Sequence, residues 1–160
     1  MNITLIYFDF PFWRAEIARI AMFLGNINFY DLRISSDEFK KVKTYGKLND
    51  GTIIPFHQLP CLIIDKTPIM QTAGIGRFCG KLSGLYPKND DYKAALIDQI
   101  IEGAQDINYL VTLSGRDKDL ERKKIARSIL ATRHLPKWFQ FLEDLLKQNT
   151  ESIYFVGGDL

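Results

Sequence analysis

The strongest constraint on the fold of this chain is a proline at the head of an apolar strand. Pro60 follows the polar residues His57 and Gln58 and precedes the apolar run Cys61–Ile64. Proline cannot donate to a sheet ladder, is tolerated at the start of a strand, and is the residue that most often adopts a cis peptide bond. The sequence therefore predicts a strand that starts after a sharp change of direction, with the backbone N–H and C=O of Leu59 facing outward.

A second polar pair, Gln71 and Thr72, precedes a helix that we predict over residues 72–81. Thr72 is a typical N-cap residue, and the N–H groups in the first turn of a helix are suited to binding a carboxylate. Together with the outward-facing backbone of Leu59, this predicts a site for a small peptide-like ligand.

Hydrophobic periodicity and turn residues give the order βαβαββα, which is the thioredoxin-like layout. We predict strands over 3–8 and 29–33, a helix ending at Gly25–Asn26, a short helix over 36–43 and a hairpin over 61–70. After the turn-rich segment 84–89 the pattern becomes purely helical. The predicted domains are therefore a thioredoxin-like domain over 1–83, a linker over 84–89 and an all-α domain over 90–160.

Charge and cysteine usage exclude several classes of function. The 21 basic and 19 acidic residues give a net charge of +2, too even a balance for a nucleic-acid partner. A signal peptide and an apolar run of about 20 residues are both missing, so we expect a cytoplasmic protein without a membrane partner. Cys61 and Cys79 form no CxxC pair, and His57 and His134 have no ligand-type neighbours in sequence, so no metal site is expected.

These motifs resemble the glutathione-binding half of the cytosolic glutathione transferases. The residues that carry the resemblance are Gln58, Leu59, Pro60, Leu62, Asp65, Gln71, Thr72, Ile75 and Arg77. The similarity to this family extends to the first strand and the first helix, and to the segments 103–107, 135–138 and 154–157. The segments of the helical domain resemble the malaria-parasite branch, near the sigma class.

The resemblance implies the roles of individual residues. Tyr7 would be catalytic, donating a hydrogen bond that stabilises the glutathione thiolate, and Phe8 would line the electrophile pocket. Pro60 would be the structural cis-proline. Glutathione would be bound by Arg14, Lys43, Gln58, Leu59, Gln71, Thr72 and, from the partner subunit of a homodimer, Asp106.

The function implied is conjugation of glutathione to small apolar electrophiles, or reduction of organic peroxides. Glutathione would serve as co-substrate, with no metal. The alternative is a non-catalytic module of the same family that binds apolar ligands such as haem or serves in protein assembly. A glutaredoxin is disfavoured because the turn from Pro11 to Arg14 holds no cysteine.

Two departures from the family pattern stand out. The turn from Phe10 to Arg14 is bulkier and one residue longer than in relatives, so Phe12 and Trp13 are expected to line or crowd the electrophile pocket. In the family, a segment like 155–160 leads into a further buried helix. The resemblance therefore implies a C-terminally truncated helical domain that lacks part of the electrophile pocket.

Overall fold

The computed structural model describes residues 1–158, which form two compact units, the first over Met1–Lys88 and the second from Asn89 onward. Asp159 and Leu160, the last two residues of the segment 155–160, lie outside the described residues.

The first unit is built on a four-stranded mixed sheet. Its strands are β1 (Ile3–Phe8), β2 (Tyr30–Ile34), β3 (Cys61–Ile64) and β4 (Thr67–Met70), in the spatial order β2-β1-β3-β4. β1 runs parallel to β2 and antiparallel to β3, and β3 and β4 form a hairpin. The predicted order of elements is confirmed, with β2 displaced by one residue from its predicted bounds.

Three helices belong to this unit: α1 (Glu16–Leu24), α2 (Ser36–Tyr45) and α3 (Thr72–Leu82). α1 packs directly against α3. A Cβ atom at Gly76 of α3 would lie 2.7 Å from Cδ1 of Ile17, so the absence of a side chain there permits the close approach. A short 3-10 turn, Pro55–His57, precedes β3.

α1 and α2 cover opposite faces of the sheet. Successive residues of a strand point to opposite faces. The Tyr7 ring lies near Arg19 of α1, whereas the ring of its neighbour Phe8 makes an edge contact with Phe39 of α2 at 4.7 Å between centroids. The core between sheet and helices is closely packed, and its largest fully buried side chains are Leu5, Ile6, Met22, Val42, Ile54, Cys61, Leu62, Ile75 and Cys79.

The second unit is helical. It contains α4 (Asp91–Ser114), α5 (Leu120–Ile129) and α6 (Leu135–Gln148), and a π-helical turn, Leu130–His134, joins the last two. The Asp90 and Asp119 side chains cap α4 and α5. Trp138 of α6 packs over Gly103 of α4, where a Cβ atom would lie 3.7 Å from its ring. Within residues 1–158, no helix combines the length and the apolar character that a membrane span requires.

Candidate active site

Sheet register brings three of the predicted site segments to one edge. Ile6 of β1 is paired with Cys61 of β3, which is paired with Met70 of β4. One residue further toward that edge lie Tyr7, Pro60 and Gln71, which come from three distant parts of the chain. The ends of these strands therefore place a phenol, a proline turn and a helix N-terminus side by side.

Tyr7 is enclosed by aromatic and cationic groups. The residue is only 3% exposed, and its ring centroid lies 5.3 Å from that of Phe8 and 5.6 Å from that of Phe10. Burial raises the pKa of the Tyr7 phenol, whereas a hydrogen bond from the backbone N–H of Arg14 and the charges of Arg14 and Arg19 lower it. The net effect is an increase, so the hydroxyl keeps its proton at neutral pH and can act as a donor.

The turn after β1 is aromatic and partly open to solvent. Trp13 has a positive φ of 86°, and Phe12, 60% exposed, makes an edge contact with its ring at 5.1 Å. This conformation brings the backbone N–H of Arg14 to the Tyr7 hydroxyl. Phe8 and Phe10 line an open groove of about 400 Å³ at the start of α2, together with Asp9, Ile34, Ser35 and Ser36.

The segment before β3 is anchored to the end of α2. The Leu59–Pro60 peptide bond is cis, the side chain of Leu59 is buried, and Gln58 is exposed. Nδ1 of His57 lies 3.1 Å from the carbonyl oxygen of Lys43, so the imidazole donates a hydrogen bond to α2. Lys43 itself is exposed, with its ammonium 5.7 Å from the Phe39 ring centroid.

His57 also packs on the glycine that ends α2. Gly46 has a φ of 66°, and a Cβ atom there would lie 2.4 Å from Nε2 of the imidazole. Phe56 and His57 have positive φ values of 63° and 51°. Sequence reasoning missed this arrangement because neither residue type predicts a left-handed conformation.

The start of α3 differs from the prediction. Thr72 is the first residue of the helix and 7% exposed, and the N-cap position belongs to Gln71, whose side chain makes no capping hydrogen bond. The prediction of Thr72 as N-cap is wrong. Gln71 has φ 69° and ψ 126°, a combination that a non-glycine residue rarely adopts, and such backbone is concentrated at ligand sites. Gln71 is exposed at the same sheet edge as Tyr7.

Asp106 belongs to the second unit, where it is exposed on α4. Two apolar side chains at helical spacing from it, Tyr109 and Leu113, are 57% and 41% exposed. Residues 106, 109 and 113 therefore define one partly apolar face of α4.

The remaining titratable candidates are inert or isolated. Cys61 and Cys79 are free, buried thiols, and burial raises their pKa to about 12 and about 11. Among the residues that the structure describes, no three His, Cys, Asp or Glu side chains come together as metal ligands.

A thioredoxin-like unit followed by a helical unit, with a buried tyrosine at the end of the first strand, defines a glutathione-transferase-type architecture. No family model matches the chain. The glutathione S-transferase of Plasmodium falciparum is 31% identical over 99% of this chain and 74% of its own length. The structure of prostaglandin synthase D of Nilaparvata lugens superposes with a TM-score of 0.85 at 25% identity, over 100% of this chain and 74% of that one.

A monomeric glutathione S-transferase from the hookworm Necator americanus is 30% identical, with a TM-score of 0.73 over 100% of this chain and 74% of its own. The chain belongs to the glutathione S-transferase family.

Proposed function

We propose that this chain conjugates the thiolate of glutathione to small electrophiles, with Tyr7 as the catalytic hydrogen-bond donor. The observation that carries the proposal is the position of the buried Tyr7 hydroxyl, next to the backbone N–H of Arg14 and at the same sheet edge as Pro60 and Gln71. Membership of the family supports the same conclusion.

The chemistry requires the anion of glutathione. A free thiol has a pKa near ~8.5 and is mostly protonated at neutral pH, whereas its thiolate is the nucleophile. A hydrogen bond from the Tyr7 hydroxyl stabilises the thiolate and leaves the thiol unaffected. The sulfur then uses a lone pair to form a bond to the electrophilic carbon, and the displaced electron pair leaves with the departing group or is protonated.

The other site residues would bind the peptide part of glutathione. The Leu59 backbone would pair antiparallel with the cysteinyl residue, and Gln71 with Thr72 would bind the γ-glutamyl carboxylate at the start of α3. Gln58 and Lys43 would approach the glycyl carboxylate, with Arg14 as a further cation. The left-handed backbone of Gln71 supports this assignment, because strain of this kind persists where a ligand site needs it.

Phe8 would line the pocket for the electrophile. It forms one wall of the open groove at the start of α2, together with Phe10, whose ring also lies near that of Tyr7. The partially exposed aromatic rings favour small apolar substrates.

The test is Tyr7→Phe, with Tyr45→Phe as matched control because Tyr45 is 68% exposed. Loss of a donor to a developing or stabilised anion typically costs about 10²–10³-fold in turnover. We expect that loss for Tyr7→Phe, with glutathione affinity by calorimetry changed only a few-fold and the control unchanged. Turnover unchanged in Tyr7→Phe would remove Tyr7 from catalysis.

We also propose a homodimer in which Asp106 serves the neighbouring site, meeting the ammonium of the γ-glutamyl group. The exposed face of α4 that holds Asp106, Tyr109 and Leu113 supports an interface there. Analytical sedimentation should give a dimer at micromolar concentration, and Asp106→Asn should weaken glutathione binding. A monomer, the state of the hookworm relative, combined with a silent Asp106→Asn variant, would refute this proposal. A cytoplasmic location and peroxide reduction stay predictions.

A further inference from the structure

Arg19 of α1 is a cation placed against the Tyr7 ring. Its guanidinium carbon lies 6.0 Å from the ring centroid, within the range of cation–π attraction, and its side chain is only 11% exposed. Low exposure weakens the screening of its charge by solvent. Solvent therefore screens this charge less than it would screen the charge of a fully exposed arginine.

The guanidinium is held in one orientation by carboxylates on two elements. It forms a fork with Asp31 of β2, with Nη2–Oδ1 at 3.0 Å and Nε–Oδ2 at 3.2 Å, and a further ion pair with Glu16 of α1. Asp31 in turn accepts a hydrogen bond from Nε of Arg33, with Nε–Oδ2 at 2.9 Å. A bidentate arginine–carboxylate pair fixes geometry as well as charge.

The other ionisable groups around Tyr7 come from three sides. Arg14 and Glu16 lie in the turn and in α1, and their charges have opposite effects on the phenol. Arg33 of β2 is the register partner of Tyr7. From β3, the thiol of Cys61 contributes no charge at neutral pH, since burial raises its pKa to about 12.

We propose that Arg19 is a positioning residue for the conjugation reaction, which holds the Tyr7 ring against α1 and makes its hydroxyl a stronger donor to the glutathione sulfur. The inference rests on the proposed function. A purely structural role for Arg19, joining α1 to β2 through Asp31, makes a different prediction: substitution would change stability and leave the pH dependence of the reaction unchanged.

Two substitutions separate these roles. Arg19→Gln and Arg19→Lys both break the fork to Asp31, but only Arg19→Gln removes the positive charge. Lys40→Gln, which removes a cation from an exposed ion pair with Asp37, is the control for a general change in charge. The readouts are the pH dependence of kcat/KM and the spectroscopic titration of the Tyr7 phenol, taken as the difference from the same variant carrying Tyr7→Phe.

We expect Arg19→Gln to move both titrations to higher pH. For a unit charge about 6 Å away, an effective dielectric constant between ~20 and ~80 gives a shift of roughly half a pH unit or more. Arg19→Lys should restore most of that shift, and Lys40→Gln should show none. The double variant Arg19→Gln, Asp31→Asn replaces the ion pair by a neutral pair and should show the same shift to higher pH, which provides a test if Arg19→Gln does not fold.

Equal titrations in the wild type, Arg19→Gln and Arg19→Lys would overturn the proposal, and so would equal shifts in both variants or an unshifted phenol in the double variant Arg19→Gln, Asp31→Asn. Failure of the proposed function is distinguishable from these results. In that case the wild-type chain itself would show no conjugation, while the phenol titration would still report whether Arg19 acts on Tyr7.

Discussion

The substitution Gly46→Ala tests whether the end of α2 controls the glutathione site. Gly46 ends the helix in a left-handed conformation with φ 66°, and its backbone N–H bonds to the carbonyl oxygen of Val42. A new Cβ atom would lie 2.4 Å from Nε2 of His57, too close for any real contact. The imidazole would have to move, and the Nδ1 hydrogen bond to Lys43 would be lost with it.

The cost has two parts. Placing an L side chain in the left-handed region costs about 1–2 kcal/mol, and loss of one net hydrogen bond costs about 0.5–1.5 kcal/mol. Gly51→Ala is the matched control, because Gly51 has φ 87° and an added Cβ would meet no atom within 4 Å. Gly51→Ala carries only the backbone cost, so Gly46→Ala should lower the free energy of unfolding by about 1 kcal/mol more than Gly51→Ala does.

Urea denaturation gives the free energies, and isothermal calorimetry gives glutathione affinity. We expect Gly46→Ala to weaken glutathione affinity several-fold, since the displaced ring bonds to the carbonyl oxygen of Lys43 and directly precedes Gln58, while Gly51→Ala leaves the affinity unchanged. In a His57→Ala background the difference in stability between the two glycine variants should vanish. If Gly46→Ala were no more destabilising than Gly51→Ala in the wild-type background, the imidazole would not anchor this segment.

Three further outcomes are expected. Gly74→Ala in α3 should stabilise the protein by about 0.5–1 kcal/mol because the added Cβ atom meets no other atom within 4 Å, whereas Gly76→Ala should destabilise it because the added Cβ atom meets Ile17. Urea denaturation of both variants measures the two changes in the free energy of unfolding. Equal changes would contradict the packing of α1 against α3. Neither Cys61 nor Cys79 should react with a thiol reagent at pH 8 in native buffer, and both should react in urea. Burial raises the pKa of the two thiols to about 12 and about 11, above the unfolded value of 9.0. The stability that the two protonated thiols contribute is therefore complete below pH 9 and is lost as the pH rises through 11–12. The double variant Gln71→Ala, Thr72→Ala should abolish most glutathione binding in calorimetry, and normal binding would place the site elsewhere.

The strands and helices of the first unit could be predicted because their signals are local. Apolar runs of strand length, the proline before β3 and the turn residues between β3 and β4 leave little freedom in how these segments pair. Pro60 indicated both where β3 begins and where the chain turns.

The parts that the sequence did not predict depend on tertiary contacts. Thr72 has the residue type of an N-cap, but the chain enters α3 through a left-handed Gln71, which leaves Thr72 inside the helix. The interaction of Arg19 with Tyr7 joins α1 to β1, and the link from His57 to Lys43 joins a loop to α2. No periodicity or spacing in the sequence encodes such pairs.

Tyr7, Pro60 and Gln71 lie at one sheet edge only after β1, β3 and β4 have paired. The chain can therefore bind a ligand at this edge only once the sheet has formed. β1 must pair with β3 across the segment that holds α1, β2 and α2, and contacts of such sequence separation form slowly because bringing the ends of the segment together costs entropy. A slip of one residue in β1 would exchange the faces of Tyr7 and Phe8 and turn the phenol toward α2. Glutathione can therefore recognise only chains in the correct register, and its binding would trap the completed sheet against mispaired alternatives.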